Sequence, residues 1–114
     1  MVREQKFVLR ESDYGHELHF YLTKMDGSAY EIPDGATVTF EAYLTGATEL
    51  TVNDTAHVTV PTQTGSDIGH CYYTVQSSDF DGDSAGTYWC RIKVNTITSS
   101  EAKLVVKDEY SDGE

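Results

Sequence analysis

The sequence is poor in positive charge. It contains 8 Lys and Arg residues against 19 Asp and Glu residues, which gives a formal net charge of −11. A surface of this sign repels nucleic acid phosphates and anionic lipids, so we expect neither as a partner. Three explanations of the acidic excess stay open: solubility through self-repulsion, adaptation to high salt, and an acidic face for a basic partner or for cations.

Long apolar runs are also missing. No run of about 18 apolar residues is present, so we expect no membrane span. The segment Met1–Lys6 lacks the apolar core of a signal peptide. We therefore expect synthesis in a host cytoplasm, and either residence there or release as part of a larger particle.

The sequence patterns that accompany catalysis are absent as well. It contains no nucleophile elbow, no phosphate-cradling glycine loop and no metalloprotease helix motif. Paired carboxylates such as Asp79 and Asp81 fall in a turn, with no evident apolar pocket to tune them as general acid and base. We expect a protein that is not an enzyme and needs no cofactor.

What the sequence does contain is short segments in which polar and apolar residues alternate. Such segments, separated by turn residues, predict about 7–8 strands and no convincing helix. We expect an all-β antiparallel sandwich over residues 1–107, followed by an acidic flexible tail at residues 108–114. Its predicted inner row includes Phe20, Phe40, Tyr73, Tyr88 and Ile92.

The segment before residue 90 resembles the approach to strand F of an immunoglobulin-like sandwich. An acidic turn at residues 79–83 precedes the strand, and Tyr88 lies two residues before Cys90. Immunoglobulin domains bridge strands B and F, but the predicted strand B, residues 16–23, has no cysteine. We expect Cys71 and Cys90 to be buried free thiols, with a bridge between neighbouring strands as the alternative.

Two groups of residues are candidate metal ligands. Asp79, Asp81 and Asp83 alternate as in the start of an EF-hand loop, but the later glycine and glutamate positions do not match. We expect a solvated turn, with calcium as the alternative. His16 and His19 face opposite sides of one strand, as do His70 and Cys71, and no Cys-x-x-Cys is present, so we expect no metal site built from histidine or cysteine.

Outward-facing aromatic residues are the candidate partner-binding residues. Ordinary cross-strand pairing on a half-exposed sheet would explain them, and so would a contact face for another subunit or a platform for sugar stacking. The four residues are Tyr21, Tyr43, Tyr72 and Trp89.

Several motifs in order also resemble a known group of domains. The segments Gly35–Phe40, Gly69–Tyr73 and Ala85–Cys90 occur in the order found in the N-terminal domain of phage baseplate upper proteins, and the resemblance covers residues 5–107. Those proteins continue into a trimerising region that this sequence does not contain. The resemblance implies an immunoglobulin-like module, present as a stand-alone copy, that binds other virion subunits without catalysis.

The expected function follows from this resemblance. We expect a structural protein of a tailed virus particle, such as a decoration, turret, tail or baseplate adaptor protein, located in the virion. Its partners would be other virion subunits, in a symmetric homo-oligomer. A carbohydrate-binding host-recognition module is the first alternative, and a cell-surface adhesion domain is the second.

Overall fold

The structure is a computed structural model that describes residues 6–10, 14–80, 85–99 and 101–107. These residues contain no α-helix and one short 3-10 turn, Gly65–Asp67. The predicted tail at residues 108–114 lies outside the described residues. The strands are β1 (Lys6–Arg10), β2 (Glu17–Tyr21), β3 (Val38–Leu44), β4 (Val52–Asp54), β5 (Val58–Thr59), β6 (His70–Thr74), β7 (Gly86–Val94), β8 (Ile97–Thr98) and β9 (Ala102–Lys107).

The strands form two sheets. Sheet A has the order β1-β9-β7-β3-β4, with β8 also paired to β7, and sheet B has the order β2-β6-β5. Neighbouring strands are antiparallel except β1 and β9, which are parallel. The predicted antiparallel sheets therefore include one parallel pair, at the edge of sheet A.

This strand order is that of a variable-type immunoglobulin sandwich. Strands β2, β6 and β5 take the places of B, E and D, and β9, β7, β3 and β4 take those of G, F, C and C′. The predicted immunoglobulin-like β-sandwich is confirmed. Strand β7 takes the place of strand F, as the Tyr88–Cys90 pattern predicted.

The core lies between the sheets and is centred on three aromatic rings. Phe40 of sheet A stacks on Tyr73 of sheet B, with ring centroids 4.2 Å apart and planes 5° from parallel, and Phe20 packs at 6.0 Å from Phe40. All three side chains are completely buried, and Tyr88 and Ile92 are buried as well, so the predicted inner row is confirmed. Complete burial of such a side chain contributes roughly 1.5–3 kcal/mol, more than the ~1 kcal/mol range of β propensity. Hydrophobic alternation therefore decides which face of each strand turns inward.

The alternation fails at the end of β3. It places Leu44 on the inner face, but this side chain is 40% exposed. Leu44 is the last residue of the strand, and its carbonyl accepts the Ala47 N–H at 2.8 Å, so the chain turns away at once. Glu41 is the opposite case: its position faces outward, yet it is only 8% exposed because Arg91 lies against it.

Candidate functional site

The four aromatic residues predicted to bind partners lie on the outer surfaces of the two sheets, two on each. Tyr43 of β3 and Trp89 of β7 are register partners on sheet A. Tyr21 of β2 and Tyr72 of β6 belong to sheet B. Because the outer surfaces of a sandwich point in opposite directions, no single contact surface contains all four. The structure brings together two pairs, each with new neighbours.

The outward side of sheet A carries Tyr43, Trp89, Arg91, Lys93 and Lys103, and we call it the sheet A face. Trp89 is half-buried at its centre and pairs with Tyr43 on one side and with Lys103 on the other. Arginine and large aromatic side chains are the residue types enriched at binding hot spots. The face therefore has the composition of a protein contact surface.

Arg91 is held in place on this face by two carboxylates. Its Nε donates to Glu41 Oε1 at 2.8 Å, and its Nη1 donates to Glu101 Oε2 at 3.5 Å. The guanidinium carbon lies 5.6 Å from the centre of the Tyr43 ring, within cation–π range. The hydrogen bond to Glu41 raises the pKa of Arg91 further above its usual value.

Tyr43 is fixed by the same network. Its hydroxyl donates to Glu101 Oε2 at 2.5 Å, and this hydrogen bond, more than burial, raises the pKa of Tyr43. The ring and the neighbouring guanidinium of Arg91 therefore have partners within the protein that hold them in place. Pre-ordering lowers the conformational entropy lost on binding.

The few positive charges of the chain are concentrated on the strands of this sheet. Strands β1, β7 and β9 carry six of the 8 basic residues of the chain, and all 19 acidic residues lie elsewhere in the sequence. These strands are adjacent, in the order β1-β9-β7. In the described part of this acidic chain, basic residues are therefore concentrated on these three strands, with Glu41 and Glu101 lying against Arg91 on the same face. The six basic residues are Lys6, Arg10, Arg91, Lys93, Lys103 and Lys107.

The outward side of sheet B carries a second group, which we call the imidazole cluster: His19, His70, Tyr21 and Tyr72. The rings stack across β2 and β6. Centroid separations are 4.6 Å for Tyr21 and His70, 5.0 Å for the two histidines, and 4.7 Å for His19 and Tyr72. No sequence pattern indicates this cluster, because the two histidines are 51 positions apart and meet only through strand pairing.

A chain of three hydrogen bonds runs through the imidazole cluster. Glu17 Oε1 lies 3.0 Å from His19 Nε2, and Asp67 Oδ1 lies 2.9 Å from His70 Nδ1. Between them, His19 Nδ1 faces His70 Nε2 at 2.7 Å. Each imidazole therefore has one ring nitrogen on a carboxylate and the other directed at its neighbour.

The acidic turn, the candidate calcium site, is described only in part. Asp81 and Asp83 lie outside the described residues. The Asp79 carboxylate accepts hydrogen bonds from the Tyr73 hydroxyl and, at 2.9 Å, from the Gln76 N–H. Burial first, and then the bond to Asp79, raise the pKa of Tyr73 far above its usual value. Asp79 thus anchors the turn to the core.

Both cysteines are buried free thiols, as the sequence predicted. Burial raises the pKa of each to about 12, so neither is a thiolate nucleophile near neutral pH. Two surface clefts, of about 510 and 420 Å³, lie elsewhere, and neither lining includes a histidine or a cysteine. Thiol chemistry therefore has no accessible site at these two cysteines.

The described residues contain no helix whose length and apolar character would let it span a bilayer. No three His, Cys, Asp or Glu side chains among them are grouped so that they could hold a metal ion.

Comparison with known proteins adds little beyond the strand order. No protein-family model matches the sequence, and no curated protein matches it significantly. Among solved structures, it is similar to a chain from work on the multimeric cell-adhesive interactions of VGSC beta subunits. That match has a TM-score of 0.46 and 11% identity, and covers 95% of this chain and 93% of the other.

A second similar structure is the first Ig-like domain of human CD48 antigen, with a TM-score of 0.33 and 15% identity, covering 98% of this chain and 88% of the other. Scores this low carry no inference about function, so the assignment of the fold rests on the topology. By its two sheets and their strand order, the chain is an immunoglobulin-like β-sandwich.

Proposed function

We propose that this protein is a non-enzymatic interaction module that docks through the sheet A face onto an acidic surface of another protein. The more specific proposal is that it is a structural subunit of a tailed virus particle: a decoration, turret, tail or baseplate adaptor protein. The resemblance of residues 5–107 to the N-terminal domain of phage baseplate upper proteins motivates this specific form.

The observation that carries the proposal is the setting of Trp89. The ring is half-buried, and its register partners are Tyr43 and Lys103. Arg91, on the same strand, is already held by carboxylates. A large ring surrounded by ordered neighbours is the arrangement in which truncation costs most at protein interfaces.

The charge of the region indicates the sign of the partner. Lys93 and Lys103 belong to strands that carry no acidic residue, in a chain that is acidic elsewhere. Arg91 is neutralised by Glu41 and Glu101. The charges that this face presents to a partner are therefore those of Lys93 and Lys103, and a twofold contact of the face with itself would bring these lysines near their own copies. We therefore propose a heterologous contact with an acidic surface, whose range is limited to about 8 Å at physiological ionic strength.

Mass spectrometry of purified virus particles tests the specific proposal first. If the particles contain no copy of this chain, the virion assignment is wrong, whatever the sheet A face does.

Lysine footprinting then tests the face. We expect Lys93 and Lys103 to be protected from acetylation in the assembly relative to the isolated protein, while Lys24, in a turn outside the face, reacts equally in both. Trp89→Ala should weaken incorporation by about 30-fold, the effect of a 2 kcal/mol hot spot. Equal labelling of all three lysines in both states would overturn the docking proposal.

Binding of the isolated domain to a glycan array, lost in Trp89→Ala, would instead favour the carbohydrate-binding alternative.

A further inference from the structure

The imidazole cluster has too few N–H donors for its three hydrogen bonds if both histidines are neutral. An ionised carboxylate only accepts hydrogen bonds, so Glu17 and Asp67 each require an N–H from the histidine they touch. His19 then uses its Nε2 proton, and His70 uses its Nδ1 proton. If both imidazoles are neutral, the remaining nitrogens, His19 Nδ1 and His70 Nε2, each carry a lone pair and no proton. These two atoms nevertheless face each other at 2.7 Å.

Two facing lone pairs need a positive centre between them. Either a proton or a metal ion can supply it, because neutral imidazole nitrogen is the commonest metal ligand among side chains. We propose that His19 Nδ1 and His70 Nε2 form a two-histidine site for a borderline transition metal ion of the Zn²⁺ type. The ion replaces the proton of the His–His hydrogen bond: two N–metal bonds form, one N–H bond breaks, and the proton passes to the solvent.

The outer partners of the two rings match this role. Histidine ligands of metals usually donate their other N–H to a carboxylate, which fixes the tautomer and the direction of the ring. Glu17 does so for His19, and Asp67 does so for His70. On each side of the ion, therefore, one imidazole binds the metal and is itself hydrogen-bonded to a carboxylate.

Stacking orients the planes of the rings. Tyr21 lies 9° from parallel to His70, and Tyr72 lies 29° from parallel to His19. The two histidines come from paired strands, where Tyr21 is opposite His70 and His19 is opposite Tyr72. Ligands supported by a sheet and by neighbouring rings lose little freedom when they bind an ion.

The geometry requires one small movement. With Zn–N bonds of about 2.0–2.1 Å and tetrahedral angles, two nitrogens stand about 3.3 Å apart, against 2.7 Å here. The His19 side chain is 37% exposed and His70 only 11%, so His19 can move outward by the difference. No third His, Cys, Asp or Glu in the described residues completes the set.

This site is independent of the proposed docking face, because it lies on the other sheet. It also differs from the sequence-based expectation of no histidine metal site. That expectation considered pairs of residues close in sequence, whereas these two ligands come from β2 and β6.

Calorimetric titration of the full chain with ZnCl₂ tests the proposal. We expect one ion per chain, with affinity at least tenfold weaker in His19→Gln and about 10–100-fold weaker in Asp67→Asn, the range found for partners of ligating histidines. His57→Gln is the matched control: His57 also contacts a carboxylate, Asp54 at 2.8 Å, but lies outside the cluster, and its replacement should leave the affinity unchanged. Ca²⁺, which prefers oxygen ligands, should not bind at the cluster.

Long-range ¹H–¹⁵N NMR identifies the ligating atoms. Zinc should shift Nδ1 of His19 and Nε2 of His70, and leave the opposite nitrogen of each ring hydrogen-bonded as before. Circular dichroism of the variants establishes that they remain folded. The proposal is overturned if zinc gives no saturable heat, if His19→Gln binds as the unmodified chain does, or if the shifts appear at the other nitrogens.

Discussion

The two buried thiols should make the protein lose stability at alkaline pH. Burial raises the pKa of Cys71 and of Cys90 from 9.0 to about 12. The folded state therefore keeps both protons over a range in which the unfolded chain releases them. The contribution of the two protonated thiols to the free energy of unfolding is fully present below pH 9 and is lost as the pH rises from 9 towards 12.

The size of the effect follows from linkage. Between pH 8 and pH 10 an unfolded thiol with a pKa of 9.0 ionises almost completely, and the folded thiols do not. Each thiol then lowers the free energy of unfolding by about 1.4 kcal/mol, and the two together by about 2.7 kcal/mol. This is a large part of the roughly 5–15 kcal/mol by which domains are stable.

Urea unfolding at pH 8, 9 and 10, with a non-thiol reductant present, measures this loss through the fluorescence of Trp89, the single tryptophan. Cys71→Ala and Cys90→Ala should each remove about half of the thiol-dependent loss, and the double variant should remove all of it. Lysine and tyrosine ionisation contributes equally to all four proteins and cancels in the comparison. If the variants keep the full pH dependence, the thiols are not the cause. The same series without reductant is the control: a pH dependence that is missing there and present with reductant would show that the two cysteines are bridged.

Two further substitutions test the packing against matched controls. A Cβ added at Gly69 would lie 2.5 Å from a backbone carbonyl oxygen, whereas one at Gly27 meets nothing within 4 Å, although φ is near +90° at both. We expect Gly27→Ala to cost about 1–2 kcal/mol and Gly69→Ala about 4 kcal/mol or more, by urea unfolding; equal losses would refute the close contact. Tyr73→Phe removes the buried hydroxyl that donates to Asp79 and should cost about 1.5–3 kcal/mol, while Tyr72→Phe, on the outer side of the same strand, should cost less than about 0.5 kcal/mol. Similar losses in the two tyrosine variants would show that the hydroxyl of Tyr73 adds nothing.

Much of the fold was predictable because burial in a sandwich has a period of two. Phe20, Phe40 and Tyr73 each occupy an apolar position in an alternating segment, and each is completely buried. The same alternation placed Tyr21, Tyr43, Tyr72 and Trp89 on outer faces. It failed at Leu44, where the strand ends and the alternation no longer determines burial.

The sequence by itself determined which residues face inward along the body of each strand, away from strand ends such as Leu44, because that pattern depends only on the next few neighbours. Tertiary structure alone decided which outer residues are neighbours. It set Tyr43 beside Trp89, Arg91 against Glu41, and His19 against His70, through pairing of strands far apart in sequence. The physical reason is that burial depends on the position of a residue along its own strand, whereas the neighbours on an outer face come from several strands, and strand register is a property of the whole sheet.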